Sequence, residues 1–328
     1  MTLRELNRTL LRRQFLLARS RWPALKTIER LVALQAQYAP SPYVALWSRV
    51  AGFRKEQLTG ALAVGSAVKA GSLRTTLHVM SRREFPYLAA AYLETQRARR
   101  DGLGVDLERL SAAVPDRPLT SREWFELGQR VLGTDDRWTV ALALRTLPSV
   151  RTAPLGAWPH TPPSPSLLWR EPLPEAQTSA TRVVRAYLAA YGPATRNDVQ
   201  QFTGFRFGQI DPALDGLRQL GDGLLDVPRA PRARGDEPAP VRFLPAFDSI
   251  ILAHRDRSRI VPPEYLEAVF DKRNGTAANT FTVDGFVAGA WRIEKRRLRV
   301  EPFAPLPVRV RREVDAEGER LLAWYLGA

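Results

Sequence analysis

Cysteine is absent from the 328 residues, histidine occurs three times and no apolar run approaches the length of a membrane span. The lack of cysteine excludes disulfides, thiolate zinc sites, iron–sulfur clusters and cysteine nucleophiles together. His78, His160 and His254 stand too far apart for the HxxxH or HxH spacing of a ligand pair, so neither a metal nor another cofactor is expected. A bilayer-crossing helix needs about 20 consecutive apolar residues. The opening Met1-Thr2-Leu3-Arg4-Glu5 lacks the apolar centre of a signal peptide. The expectation is a cytoplasmic chain with no membrane partner and no obligate protein partner.

What the chain has in excess is arginine. The 49 Lys+Arg residues, of which five are lysine, face 34 Asp+Glu, a net of +15. Arginine-rich coding accounts for part of this, but the distribution is uneven. Residues 1–110 hold 19 basic and 8 acidic side chains, a net of +11, against +4 for the remainder. A field of that sign favours a polyanionic partner, and the amino-terminal third is expected to face it. The alternative is a solvated, arginine-rich surface with no partner. At this length, 45% hydrophobic content suffices for a substantial core, divided into two or three compact units.

Apolar periodicity predicts helices over 10–19, over 24–35 with Leu25, Ile28, Leu31 and Val32 on one face, over 42–49 and over 55–69. Residues 73–81 read as a strand. Several short helices before a strand pair are what a winged helix requires, so residues 1–81 form the first expected unit. Residues 82–175 contain a connector helix at 82–100, helices at 121–132 and 139–147, and seven prolines between 150 and 175 around strand-like pieces at 155–158 and 167–170. They are either a second winged unit interrupted by a proline-rich loop or an interdomain linker. The third unit, 176–244, has a helix closed by Gly192-Pro193, a helix capped by Thr195, a candidate recognition helix at 212–220, and wing strands at 224–227 and 241–244. Arg229, Arg232 and Arg234 lie in the loop between those strands. Beyond residue 245 alternation dominates, and segments 281–287, 289–294 and 298–302 suggest a meander closing into a small β-barrel. The fold class is α+β, mainly helical.

Two groups of residues more than 200 positions apart carry a family likeness. The first is Leu34-Gln35-Ala36-Gln37, Leu46-Trp47-Ser48-Arg49 and Arg74-Thr75-Thr76-Leu77-His78. The second is Phe243-Leu244-Pro245-Ala246-Phe247-Asp248, His254-Arg255-Asp256-Arg257, and Val283-Asp284-Gly285-Phe286 leading to Gly289-Ala290-Trp291-Arg292. Together they resemble the winged-helix DNA glycosylase superfamily typified by AlkZ, over nearly the full chain. The resemblance implies tandem winged-helix units and a C-terminal β-barrel arranged as a C-shaped cradle. The implied partner is double-stranded DNA carrying alkylated purines, which makes the chain nucleoid-associated. In this superfamily a Gln-x-Gln or Gln-x-Asp pair marks the catalytic site, and Gln35 and Gln37 have the Gln-x-Gln form. Self-resistance to a DNA-alkylating antibiotic is the implied setting.

The residues support a chemistry of their own. Gln35 follows Ile28, Leu31 and Val32 on the apolar phase of the expected helix, and a buried amide without partners costs about 1–3 kcal/mol. Side chains two apart on a helix diverge by about 200°, so the pair converges only if the helix ends between them. Pro40 and Pro42 place that end near Tyr38. The alternative is that both amides bond backbone at the helix end. A neutral amide does not abstract a proton near pH 7 and can only position water. Substrates with an already weakened glycosidic bond fit this limit: cationic N7-alkylguanines, including bulky natural-product adducts and interstrand crosslinks. A regulator or sequestering factor that binds DNA without cleaving a bond is the other reading, and it has no use for such a pair. Among further candidates, Arg49 and Arg74 meet phosphate or solvent, and His78 meets the lesion or bonds within its sheet. The loop arginines Arg229, Arg232 and Arg234 enter a groove. Asp248 and Asp256 are read as structural, and Trp47 and Tyr43 as core.

Overall fold

A computed structural model of the chain describes residues 1–152, 158, 164–271 and 275–327, without the side chains of 98–100. His160 and most of the strand expected at 155–158 lie outside the described residues. The first helix, Leu3–Arg13, opens on a capping box in which Thr2 Oγ1 accepts from Glu5 N and Glu5 Oε2 accepts from Thr2 N. It ends where Phe15 turns left-handed (φ 57°), several residues before the expected end at 19. Helix Ala24–Arg30 also stops early, because Val32 takes φ 72° and the chain then extends into a two-residue strand, Leu34–Gln35.

That strand opens a five-stranded antiparallel sheet in the order Leu34–Gln35, Leu77–Ser81, Ala67–Gly71, Ser149–Arg151, Ser166–Leu168. Strands from the first two expected units therefore share one sheet. Helices Leu107–Ala113, Ser121–Leu132 and Arg137–Arg145 build a small core of their own around Leu110, Trp124, Leu127 and Ala143.

The third group comprises helices Ala176–Tyr191, Arg196–Thr203 and Phe207–Ile210, followed by the hairpin Arg218–Gln219 with Leu225–Asp226. The hairpin turns through Gly221, Asp222 and Gly223, all at positive φ, which two glycines make inexpensive. This replaces the expected recognition helix at 212–220. It also corrects the expected wing. Leu225–Asp226 pairs backward in sequence, and Arg242–Leu244 joins another sheet against Thr280–Val283. The loop with Arg229, Arg232 and Arg234 therefore joins no hairpin. It lies on the first helix, held by Arg13 Nε to Pro231 O at 2.9 Å and Ala233 N to Thr9 Oγ1 at 3.1 Å.

No closed barrel forms among the described residues. Strands Arg297–Pro302, Phe286–Glu294, Thr280–Val283 and Arg242–Leu244 make an open antiparallel sheet. The helix Val308–Leu326, absent from the sequence reading, packs Val314 and Leu321 with Phe243, Phe281 and Trp291. With a helix covering its apolar face, the sheet has no need to close on itself.

Long-range ion pairs fasten these groups. Arg49 and Asp248, each about 1% exposed, form a bidentate pair at 2.8 and 2.7 Å, and Asp248 also accepts from Ile250 N at the start of helix Ser249–Leu252. Removing one partner of such a pair leaves a buried charge uncompensated. Asp248→Ala is expected to cost about 3–5 kcal/mol in urea unfolding. The double change Arg49→Met, Asp248→Leu is expected to cost clearly less than Asp248→Ala alone. Equal losses in the two variants would show that the charge pair is not what the site responds to.

Candidate functional site

Gln35 and Gln37 do meet, with Gln35 on a strand and Gln37 in the bend just past it. Gln35 lies opposite His78 and Leu34 opposite Val79 in antiparallel register, and Ala36 N continues the pairing to Leu77 O at 2.8 Å. Extended backbone sends residues two apart to one face, which is the opposite of the helical geometry expected from the apolar period. Gln35 Nε2 donates to Gln37 Oε1 at 2.8 Å, with Gln35 buried and Gln37 exposed.

The orientation of this pair is set by Arg74. The start of the strand expected over 73–81 is instead a short 3₁₀ turn, Leu73–Thr75, in which Arg74 and Thr75 are left-handed at φ 52° and 61°. Two consecutive non-glycine residues in that region are uncommon, and such conformations persist only when the surroundings hold them. Here Arg74 Nη1 donates to Phe202 O in the last turn of helix Arg196–Thr203, where backbone carbonyls lack helical partners and a cation is favoured. The guanidinium lies 5.2 Å from the Phe202 ring centroid. Gly204, left-handed after that helix, lets the backbone of Arg74 approach to 3.4 Å from where a Cβ would stand. Arg74 Nη2 then reaches Gln35 Oε1 at 3.4 Å. Arginine only donates, so Gln35 must turn its oxygen to Arg74 and its NH2 to Gln37. Gln37 Oε1 keeps one lone pair for another donor. Burial pushes Arg74 down to about 10, which leaves it charged at neutral pH.

His78 is 1% exposed and bonded within its own turn. Its Nδ1 lies 3.0 Å from Thr76 O and 3.2 Å from Ser72 Oγ, so Nδ1 carries the proton that Thr76 O accepts. Nε2 is buried without a partner. Arg49, expected to meet phosphate or solvent, is sealed against Asp248, a partner 199 positions away that its local sequence could not announce. Among the loop arginines, Arg234 pairs with Asp236 and Arg232 lies 3.9 Å from buried Asp226, while Arg229 is exposed.

Two adjoining clefts flank the glutamines and share Thr75 and Tyr92. One, of about 780 Å3, is bounded by Arg74, Arg206 and Arg255 and by Asn197, Gln200 and Gln201 from one face of helix Arg196–Thr203. Arg206 and Arg255 are exposed and have no acidic partner among the described residues. The sequence reading missed both. The spacing of Asn197, Gln200 and Gln201, one polar stripe on a helix already capped by Thr195, was the signal available. The other cleft, of about 690 Å3, has Gln37 in its wall and is lined by aromatic and aliphatic side chains on one side and by threonines, serines and Arg145 and Arg151 on the other.

Burial and the nearby Arg74 push His78 down to about 3, so it is neutral in the fold. The unfolded side chain titrates near 6.5. Because the folded value is depressed, the unfolded state binds more protons as pH falls below about 6.5, and stability declines down to about pH 3. His78→Gln is expected to flatten the fall in urea midpoint between pH 6.5 and 4.5 relative to the parent. Parallel pH profiles would contradict the buried neutral assignment.

The family described as DNA glycosylase AlkZ-like matches residues 28–324. An interstrand DNA cross-link repair glycosylase of Streptomyces sahachiroi is 25% identical over 334 residues, covering 89% of this chain and 88% of that protein. The solved structure of Streptomyces sahachiroi DNA glycosylase AlkZ shares the fold, with a TM-score of 0.78 over 100% of this chain and 97% of that one at 22% identity. The family match takes in the Gln35–Gln37 pair, the Arg74 turn and nearly all of the carboxy-terminal sheet and helix, and the chain belongs to the AlkZ-like DNA glycosylase family.

Proposed function

We propose that this DNA glycosylase hydrolyses the N-glycosidic bond of cationic N7-alkylguanines in duplex DNA, in repair or self-resistance, with bulky and crosslinked adducts among its substrates. The observation that carries the reading is the 2.8 Å contact between Gln35 and Gln37, with Gln37 in the wall of a cleft. The printed activity of the Streptomyces sahachiroi relative, interstrand cross-link repair, supports the extension to crosslinks. The groups at 1–81, 82–175 and 176–244 are proposed as tandem winged units in a C-shaped cradle, the hairpin at 218–226 serving as the third wing.

The chemistry suits amides. A water oxygen bonds to C1′ as the C1′–N9 bond breaks. The bonding pair stays on N9 and neutralises the cationic purine, and the water's spare proton passes to solvent. The leaving group is already activated, so the site need only hold water against a sugar with oxocarbenium character. Gln37 Oε1 accepts from that water, and Gln35 fixes which end of the Gln37 amide is presented. Neither amide forms a Schiff base, so the enzyme is monofunctional. A DNA-binding regulator would have no use for this arrangement.

Gln37→Ala is expected to lower single-turnover excision of N7-methylguanine at least tenfold while duplex affinity stays within about twofold, because orientation acts on the chemical step. Gln37→Asp is expected to retain excision, since a carboxylate accepts from water and favours a developing positive charge. An unchanged rate in Gln37→Ala would remove the pair from the reaction.

Arg206 and Arg255 are proposed as phosphate contacts. Each phosphate contact contributes about 0.9 to the slope of log affinity against log salt. The double change Arg206→Ala, Arg255→Ala is expected to reduce that slope by about 2 and to weaken binding alike across sequences. An unaltered slope would place the cleft away from the DNA backbone.

A further inference from the structure

We propose that the aromatic-walled cleft beside Gln37 is the binding site for the N7 substituent of the damaged guanine, and that it takes an uncharged aromatic group. The proposal rests on the N7-alkylguanine reading above. At about 690 Å3 the cleft has the size of a pocket for a small organic molecule, and a methyl group would leave nearly all of it empty. Its apolar side comes from three helices: Phe85 and Leu93 from Phe85–Asp101, Trp124 and Phe125 from Ser121–Leu132, and Ala141 and Leu144 from Arg137–Arg145; the five-stranded sheet and the Arg74 turn supply a more polar side with Thr75, Thr76 and Ser149.

The aromatic walls are held in place. Trp124 is buried and its Nε1 donates to Ser166 O at 3.2 Å, and the Phe85 ring meets Trp169 edge-on at 4.9 Å between centroids. Rings fixed in this way favour a partner ring at little entropic cost. Among the described residues the lining contains no carboxylate, whereas Arg145 and Arg151 belong to it, so a cationic substituent is disfavoured. The position also fits. N7 and N9 belong to the same five-membered ring, so a group on N7 lies within about a ring's width of the bond that Gln37 serves. The cleft is continuous with that residue. On the other side of Thr75 and Tyr92 lies the cleft with free arginines, which suits phosphate and not an apolar group.

The test compares two duplexes, one carrying N7-methylguanine and one N7-benzylguanine, in single-turnover excision by the full chain and two variants. Ala141→Trp places an indole in the cleft. It is expected to slow benzyl excision at least tenfold while the methyl rate stays within twofold. Phe125→Ala removes one wall and is expected to slow benzyl excision three- to fivefold, again sparing the methyl substrate. The methyl duplex is the internal control for folding in each variant. If both variants act equally on the two duplexes, or on neither, the cleft does not hold the substituent. If the parent protein leaves N7-methylguanine at the no-enzyme rate, the N7-alkylguanine reading itself fails, and this proposal with it.

Discussion

The antiparallel pairing of Leu34–Gln35 with Val79 and His78 is the constraint on which the site depends. It ends the preceding helical phase at a left-handed Val32 and brings the chain out in extended form. Just past the strand the chain bends, and two amides that a helix would have set about 200° apart come within 2.8 Å of each other. The same pairing places His78 beside Gln35 and brings the tight Arg74 turn, which leads into the partner strand, against the amide it orients. Site and sheet edge are one construction, and moving the register by one residue would turn Gln35 to the other face.

The excess of arginine serves two purposes that net charge does not distinguish. Arg13 with Asp226, Arg49 with Asp248 and Arg8 with Asp284 are guanidinium groups buried against acidic partners hundreds of residues away, and they join the amino-terminal helices to the third helical group and the carboxy-terminal sheet. Arg206 and Arg255 are exposed at a cleft with no acidic partner among the described residues. The +11 of the first 110 residues is thus partly internal, and the two exposed arginines at that cleft lie outside those 110 residues. At Arg13 and Arg49 a bidentate fork explains why arginine serves, since it satisfies both carboxylate oxygens at once.

Local signals were legible. The helix at 121–132 was read to the residue, the Thr195 cap marked the next helix, and the alternation after 280 gave three strands of the final sheet. The paired motifs at 34–37 and 243–248 pointed to the family over nearly the full chain. What was not legible depends on distant partners. A two-residue strand at 34–35 has no periodicity to detect and is fixed by residues 43 and 45 positions on. Arg49 looks like a surface cation until Asp248 is placed beside it. The helix at 308–326 was hidden by arginines and glutamates between Val310, Val314 and Leu321, and without it the alternating strands suggested a barrel.

The central claim is that two neutral amides, positioned by a strand pairing and an arginine, suffice to break an already weakened glycosidic bond. The most direct measurement is the single-turnover yield of abasic sites from an N7-methylguanine duplex with the Gln35→Ala, Gln37→Ala double variant, beside the parent protein and a no-enzyme control. The account predicts that the double variant falls to the spontaneous rate while still binding the duplex. Excision at the parent rate by the double variant would contradict it.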